Sequence, residues 1–222
     1  MKQGCRIAAV YSGISYQRGI LIESDYRKNM EVIPINNLEN TDLKDYDVLI
    51  FPRGTDEELA LKNSKKIEEF LNDKKVVIAF GEIPRNWLPG SEWGGVTPED
   101  DGPLKICRYI IGSSGNKLHD IETKHELFEG IENHDLHWHK GATGWCCHGH
   151  LVPPAGSEVL VINETGATMM YIDRNTTAGS MLISCQLDAM CHAYHGVEGA
   201  KKLLDNCLVW VKKEVTKLRK VL

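Results

Sequence analysis

Five histidines, His134, His137, His139, His148 and His150, fall close together with Cys146 and Cys147 among them. The whole chain holds nine His and seven Cys, so the histidines are concentrated and not scattered. Each His-x-His pair can present two imidazoles on one side of an extended segment, because side chains alternate along a strand. Zinc accepts three or four such ligands, which makes His137, His139, His148 and His150 the candidate metal set. Against zinc, the stretch has no Cys-x-x-Cys pair, and the adjacent Cys146 and Cys147 cannot easily share one ion. Two other readings stay open: acid–base and hydrogen-bonding groups in a ligand pocket, or satisfied structural histidines. No motif demands a cofactor, and zinc is the one candidate for it.

A second set of reactive side chains follows apolar runs. Ser12 and Gly13 come after Tyr11, Arg53 and Gly54 after Phe51-Pro52, and Gly81, Glu82 and Arg85 after Phe80. Asp188 and His192 follow the run Ser180 to Ser184. Arginine makes bidentate contacts with carboxylate or phosphate oxygens, so Arg53 and Arg85 suit a polar or anionic small molecule. The plainer alternative is that they pair with Glu82 or Asp56 in a structural ion network. Trp138 and Trp145, with Trp87 and Trp93, either wall a pocket for a planar ring or anchor loops. Cys107, Cys185 and Cys207 occupy apolar positions and read as packing thiols. Cys191, beside His192, is the one thiol placed to act as a nucleophile. Ser113-Ser114-Gly115-Asn116 reads as a turn.

These groups need elements to hold them. Residues 5–11, 31–35, 47–51 and 75–80 are short apolar runs closed by turn signals, as strands buried on both faces should be. Pro34 sends the second of them to a sheet edge. Helices are expected over 16–28 and from a capping box at Thr55-Asp56-Glu57-Glu58 through Leu71. Strands alternating with helices make a parallel sheet with right-handed crossovers. Residues 84–103 are rich in Pro and Gly and read as a loop; 104–111 read as a strand. After the irregular segment 134–156, runs 158–162 and 168–172 form a hairpin around Asn163 to Gly166. Ser180 to Ser184 is a last strand, and a long amphipathic helix with a basic tail starts near Val197.

The composition limits the function. Twenty-six Lys and Arg against 31 Asp and Glu give a net charge of −5, with no basic block, which argues against nucleic-acid partners. No apolar run reaches the roughly 18 residues of a membrane span. An odd cysteine count without a secretion signal points to reduced thiols in the cytoplasm. The length of 222 residues suits one domain with a full core and no need of disulfides.

Tyr46-Asp47-Val48-Leu49-Ile50-Phe51-Pro52-Arg53-Gly54, Ile67-Glu68-Glu69-Phe70-Leu71 and Val76-Val77-Ile78-Ala79-Phe80-Gly81-Glu82 resemble segments of the class I glutamine-amidotransferase-like superfamily. So do His125-Glu126-Leu127-Phe128-Glu129-Gly130-Ile131 and Gly179 to Ser184 with Asp188 and His192. The resemblance is to the flavodoxin-like group that also holds the ThuA-like and β-galactosidase trimerisation-type domains. It implies an α/β, flavodoxin-like fold: a mostly parallel sheet, helices on both faces and a C-terminal antiparallel extension. An amidotransferase of this group carries its thiolate on a strained Gly-x-Cys-x-Gly elbow. Here the matching stretch reads Ile78-Ala79-Phe80-Gly81-Glu82-Ile83-Pro84, and His192 precedes Ala193-Tyr194 where the family has Pro-Glu. The family's glutaminase chemistry is therefore not expected.

The resulting expectation is one domain that binds a small polar or anionic, nucleotide- or sugar-like ligand at the strand ends. Its site residues are Ser12, Gly13, Arg53, Gly54, Gly81, Glu82, Arg85 and Asp188, roofed by His137, His139, Trp145, His150 and His192. A hydrolase or lyase using Glu82 or His192 as general base, with or without zinc, is the second reading. A structural or homo-oligomerisation domain is the third.

Overall fold

The computed structural model describes residues 4–95, 109–111, 125–136, 149–163, 165–185 and 187–220. Ten described strands form one sheet, with β1 (Ile7–Tyr11), β2 (Glu31–Pro34), β3 (Val48–Phe51) and β4 (Val76–Phe80) at its parallel end. The order there is β2-β1-β3-β4, followed by β10 (Ser180–Ser184), which runs parallel to β4. Beyond β10 the pairing turns antiparallel through β9 (Thr168–Asp173), β8 (Glu158–Asn163) and β6 (Tyr109–Ile111). Strands β7 (His150–Val152) and β5 (Glu92–Gly95) complete the far side. The expected α/β flavodoxin-like class is the one observed.

Every residue of β3 and β4 is buried. These are the central strands, covered on both faces, which is why their sequences are continuous apolar runs and not alternating ones. Pro34 does lie on the outermost parallel strand, the place in a sheet where proline is tolerated.

Three expectations are corrected locally. The helix expected over 16–28 is one α turn, α1 (Ser15–Arg18), then a π turn at Gly19–Glu23 and a 3₁₀ turn at Asp25–Lys28. The next helix starts one residue later than a Thr55 cap would place it. Asp56 Oδ1 accepts from Glu58 N and Leu59 N, both at 3.0 Å, while the Thr55 hydroxyl donates back to Pro52 O at 2.7 Å. That helix is also two, α2 (Glu57–Lys62) and α3 (Ser64–Asn72), which meet at Asn63. Finally, the Pro/Gly-rich stretch contains a strand, β5, which pairs with β7 across a register shift between Trp93 and Gly95.

Helix α4 (Ala189–Tyr194) leads to α5 (Glu198–Lys220), whose apolar face buries Leu203, Leu204, Cys207, Leu208, Trp210, Val211 and Val215. Ion pairs tie α5 to the rest of the fold. Glu214, buried, accepts from Arg174 Nε at 2.5 Å and from Ser180 Oγ at 2.9 Å. Further towards the C-terminus, Arg219 donates to Asp47 Oδ1 at 2.6 Å, and Asp47 Oδ2 accepts from Arg6 N at 2.9 Å. Arg6, Asp47 and Lys75 each precede a parallel strand, so this cluster closes the amino ends of the sheet and leaves the carboxyl ends for a site.

Candidate functional site

A cavity of about 340 Å³ opens at the carboxyl ends of β1, β3 and β4. It is lined by Ile14 and Tyr16 before and in α1, Arg53, Gly54 and Thr55 after β3, Glu57 in the first turn of α2, Glu82 and Pro84 after β4, and Cys191 in α4. Strand ends in open α/β sheets are where ligands bind.

The loop after β3 is fixed from behind by the loop after β1. Gln17, fully buried, donates from Nε2 to Arg53 O at 2.8 Å and accepts from Ser12 N at 2.8 Å. The Tyr16 hydroxyl also donates to Arg53 O, and Ser12 Oγ accepts from Asp56 N at 3.1 Å. With its backbone held, Arg53 extends its guanidinium to within 3.8 Å of Glu82 Oε1. That is an ion pair too long to be a hydrogen bond.

Glu57 is held by the loop after β4. Its Oε1 accepts from the Trp87 indole N–H at 2.9 Å and its Oε2 from Arg85 N at 3.3 Å. Burial lifts the Glu57 pKa; the Trp87 and Arg85 N–H donors and the Arg85 charge act against the rise, and the neighbouring Glu82 adds to it. Trp87 is buried and packs on Phe51 with ring centroids 4.8 Å apart. The Arg85 guanidinium turns away, to Glu58 Oε1 at 3.2 Å.

Behind the cavity, Asp188 is completely buried and caps α4: Met190 N and Cys191 N donate to its Oδ1 at 3.0 and 3.2 Å. Burial raises its pKa to about 6, with the cap bonds, Arg53 and Tyr16 opposing the rise. Burial, and secondarily Asp188, push the Cys191 thiol up to about 11. Burial and Asp188 likewise push the Tyr16 phenol upward.

Gly81 follows β4 with φ +100°, in the left-handed region that favours glycine. A Cβ there would sit 2.9 Å from Arg53 Cγ and 3.0 Å from Arg53 Cα, closer than atoms normally approach.

The expected residues thus separate. Arg53, Gly54 and Glu82 share the cavity, Gly81 forms the turn that leads into Glu82, and Asp188 lies behind the wall. Ser12 is a strut between loops, Gly13 forms the turn after β1 with φ +88°, and Arg85 contributes its backbone N–H. His192 is not brought into the cavity: it is buried in α4 with Nδ1 2.9 Å from Asp188 O. His150 is elsewhere, on β7, with Nδ1 3.0 Å from Gly95 O. It lines a separate, more open hollow with Pro153 and Thr165 to Thr168. His137, His139, Trp145 and His148 lie outside the described residues, so three of the four candidate zinc ligands do too. Nothing in the spacing of the sequence marks Tyr16, Gln17 or Glu57 as site residues. Glu57 was legible only as an acid in a helix's first turn, and nothing in the spacing announces a partner at Trp87.

No family model matches the sequence, and no curated protein matches it. Solved structures do. A glutamine amidotransferase from Thermotoga maritima is similar at 13% identity with a TM-score of 0.53, over 98% of this chain and 91% of that one. A cytoplasmic protein from Salmonella typhimurium is similar at 10% identity and a TM-score of 0.52, over 92% of this chain and 98% of that one. An exo-β-1,4-mannosidase from Opitutaceae bacterium strain TAV5 is similar at 9% identity and a TM-score of 0.52; the match covers 93% of this chain and 36% of the mannosidase. At these identities the likeness shows the α/β fold that the chain shares with these structures, the glutamine amidotransferase among them, and the fold alone. Function has to be argued from the site. No helix among the described residues is long and apolar enough to cross a membrane.

Proposed function

We propose that this chain binds a small polar ligand in the strand-end cavity and does not hydrolyse glutamine. The observation that carries the first half is the cavity itself, where Arg53, Glu57 and Glu82 converge on backbone that Gln17, Tyr16 and Trp87 hold rigid. Charged groups fixed before a ligand arrives reduce the ordering cost of binding. The second half is supported at Gly81, where a nucleophilic side chain would meet Arg53. Cys191 is a poor candidate to replace it: burial, and secondarily Asp188, push its thiol up to about 11, which disfavours the thiolate at neutral pH. The four described cysteines, Cys5, Cys185, Cys191 and Cys207, are free thiols, which supports a cytoplasmic setting.

A thermal-shift screen over sugars, nucleotides and amines tests the binding half. A ligand at about 100 times its Kd adds roughly 2.7 kcal/mol of stability, and Arg53→Ala should diminish that gain. A screen with no hit would overturn the reading. Ammonia release from glutamine above the rate of a buffer blank would overturn the second half.

A further inference from the structure

The charges around the cavity do not favour an anion. Arg53 is the one described cationic side chain that lines it, and it already faces Glu82 at 3.8 Å. Arg85, the second arginine at these strand ends, is engaged by Glu58 at 3.2 Å. The cavity wall then carries two carboxylates, Glu57 and Glu82, against one guanidinium. Glu57 is also held differently from Glu82. Its two oxygens take neutral N–H groups, from the Trp87 indole and the Arg85 backbone, and among the described residues it has no ion pair. A half-buried carboxylate oriented by neutral N–H donors, and with no described ion pair, is a poor neighbour for a phosphate and a good one for a donor-rich cation. Ile14 and Pro84 supply apolar wall beside it, suited to the carbon chain of an amine.

We propose that the cavity takes a small organic cation, a protonated alkyl amine whose ammonium is held by Glu57 and Glu82 and whose carbon chain lies along Ile14 and Pro84. This deepens the proposed function and rests on it. Like charge near the two carboxylates repels anions, so selection is by sign as much as by shape.

The Trp87 indole N–H, hydrogen-bonded to Glu57, reports on the site directly. Its resonance in ¹⁵N-labelled protein is followed against n-butylammonium chloride, sodium phosphate and erythritol, with sodium chloride to match ionic strength. The expected result is a saturable shift with butylammonium alone, in the millimolar range usual for so small a ligand. Glu82→Gln should weaken it about tenfold, the effect of losing one charged partner. Glu57→Gln is a second variant with the same expected direction, and thermal melts establish that each is folded. Saturable binding of phosphate or erythritol in place of butylammonium would overturn the cation inference and leave the ligand site standing. Butylammonium binding untouched in both folded variants would also overturn it. Silence towards all three probes and towards the wider metabolite screen would remove the ligand site as well.

Discussion

The Trp87 indole N–H donates to Glu57 Oε1 at 2.9 Å across thirty residues of chain, tying the loop after β4 to the first turn of α2. The indole ring meanwhile rests on Phe51 at the end of β3. One side chain therefore sets the separation of two strand-end loops and orients a carboxylate in the cavity between them.

Replacing Trp87 by Phe keeps most of the ring stacking and removes the donor. A hydrogen bond to a charged group contributes about 1.5–3 kcal/mol, so Trp87→Phe should lower the urea unfolding free energy by that amount. Glu57→Gln keeps an acceptor for the indole and should cost less. Equal stability of Trp87→Phe and the parent would show that the bond contributes nothing.

Asp188 makes the chain less stable as pH rises. Its pKa is about 6 when folded against an ordinary 3.8, so between those values the native state binds more protons than the unfolded one. Stability from this group falls through that window, by about 3 kcal/mol in all. Asn is as good a helix cap as Asp, so Asp188→Asn keeps the bonds to Met190 N and Cys191 N and removes the titration. The variant should gain on the parent between about pH 4 and about pH 7. A parallel loss of stability at both pH values would contradict the burial argument.

Cys191 should react slowly although it lines an open cavity. Its pKa of about 11 against an ordinary 9.0 leaves about a hundredfold less thiolate near neutral pH. Iodoacetamide labelling of native protein, mapped by mass spectrometry, should lag a small-molecule thiol by a comparable factor. In Asp188→Asn the rate should rise, because one of the causes of the shift is gone. Fast labelling in the parent would reopen Cys191 as a nucleophile.

Gly179 leads into β10, and a Cβ there would lie 2.2 Å from Lys75 O and 2.5 Å from Leu71 O. Both obstacles are backbone at the junction of α3 and β4, with no side-chain end to swing aside. Gly179→Ala should cost about 2–3 kcal/mol or more, read from a thermal or urea melt. A variant as stable as the parent would mean that this junction yields.

The parallel half of the sheet was readable in advance because burial on both faces leaves unbroken apolar runs, as in Val48–Phe51 and Val76–Phe80. The antiparallel hairpin of β8 and β9 was readable from its turn residues. Strand β5 was not, since Glu92-Trp93-Gly94-Gly95 has the composition of a loop and becomes a strand only by pairing with β7. The broken helix after β1 shows the same limit: its residues allow a regular helix, and the Gly19–Glu23 turn widens instead. At the cavity, Arg53 and Glu82 were marked by following buried strands. Gln17 and Glu57 were not, because their roles depend on partners distant in sequence that only the folded chain brings near.

The crowding of Gly81 by Arg53 also limits how this chain can change over generations. A side chain at position 81 meets two obstacles together, a backbone at φ +100° and the Arg53 stem at 2.9 Å. Gly81→Cys alone should therefore destabilise the fold. Shortening Arg53 first clears part of the space while giving up the cation opposite Glu82. The two positions are epistatic, and the order in which they mutate decides whether the route is open. Within this topology, a thiol at position 81 is coupled sterically to the side chain at position 53.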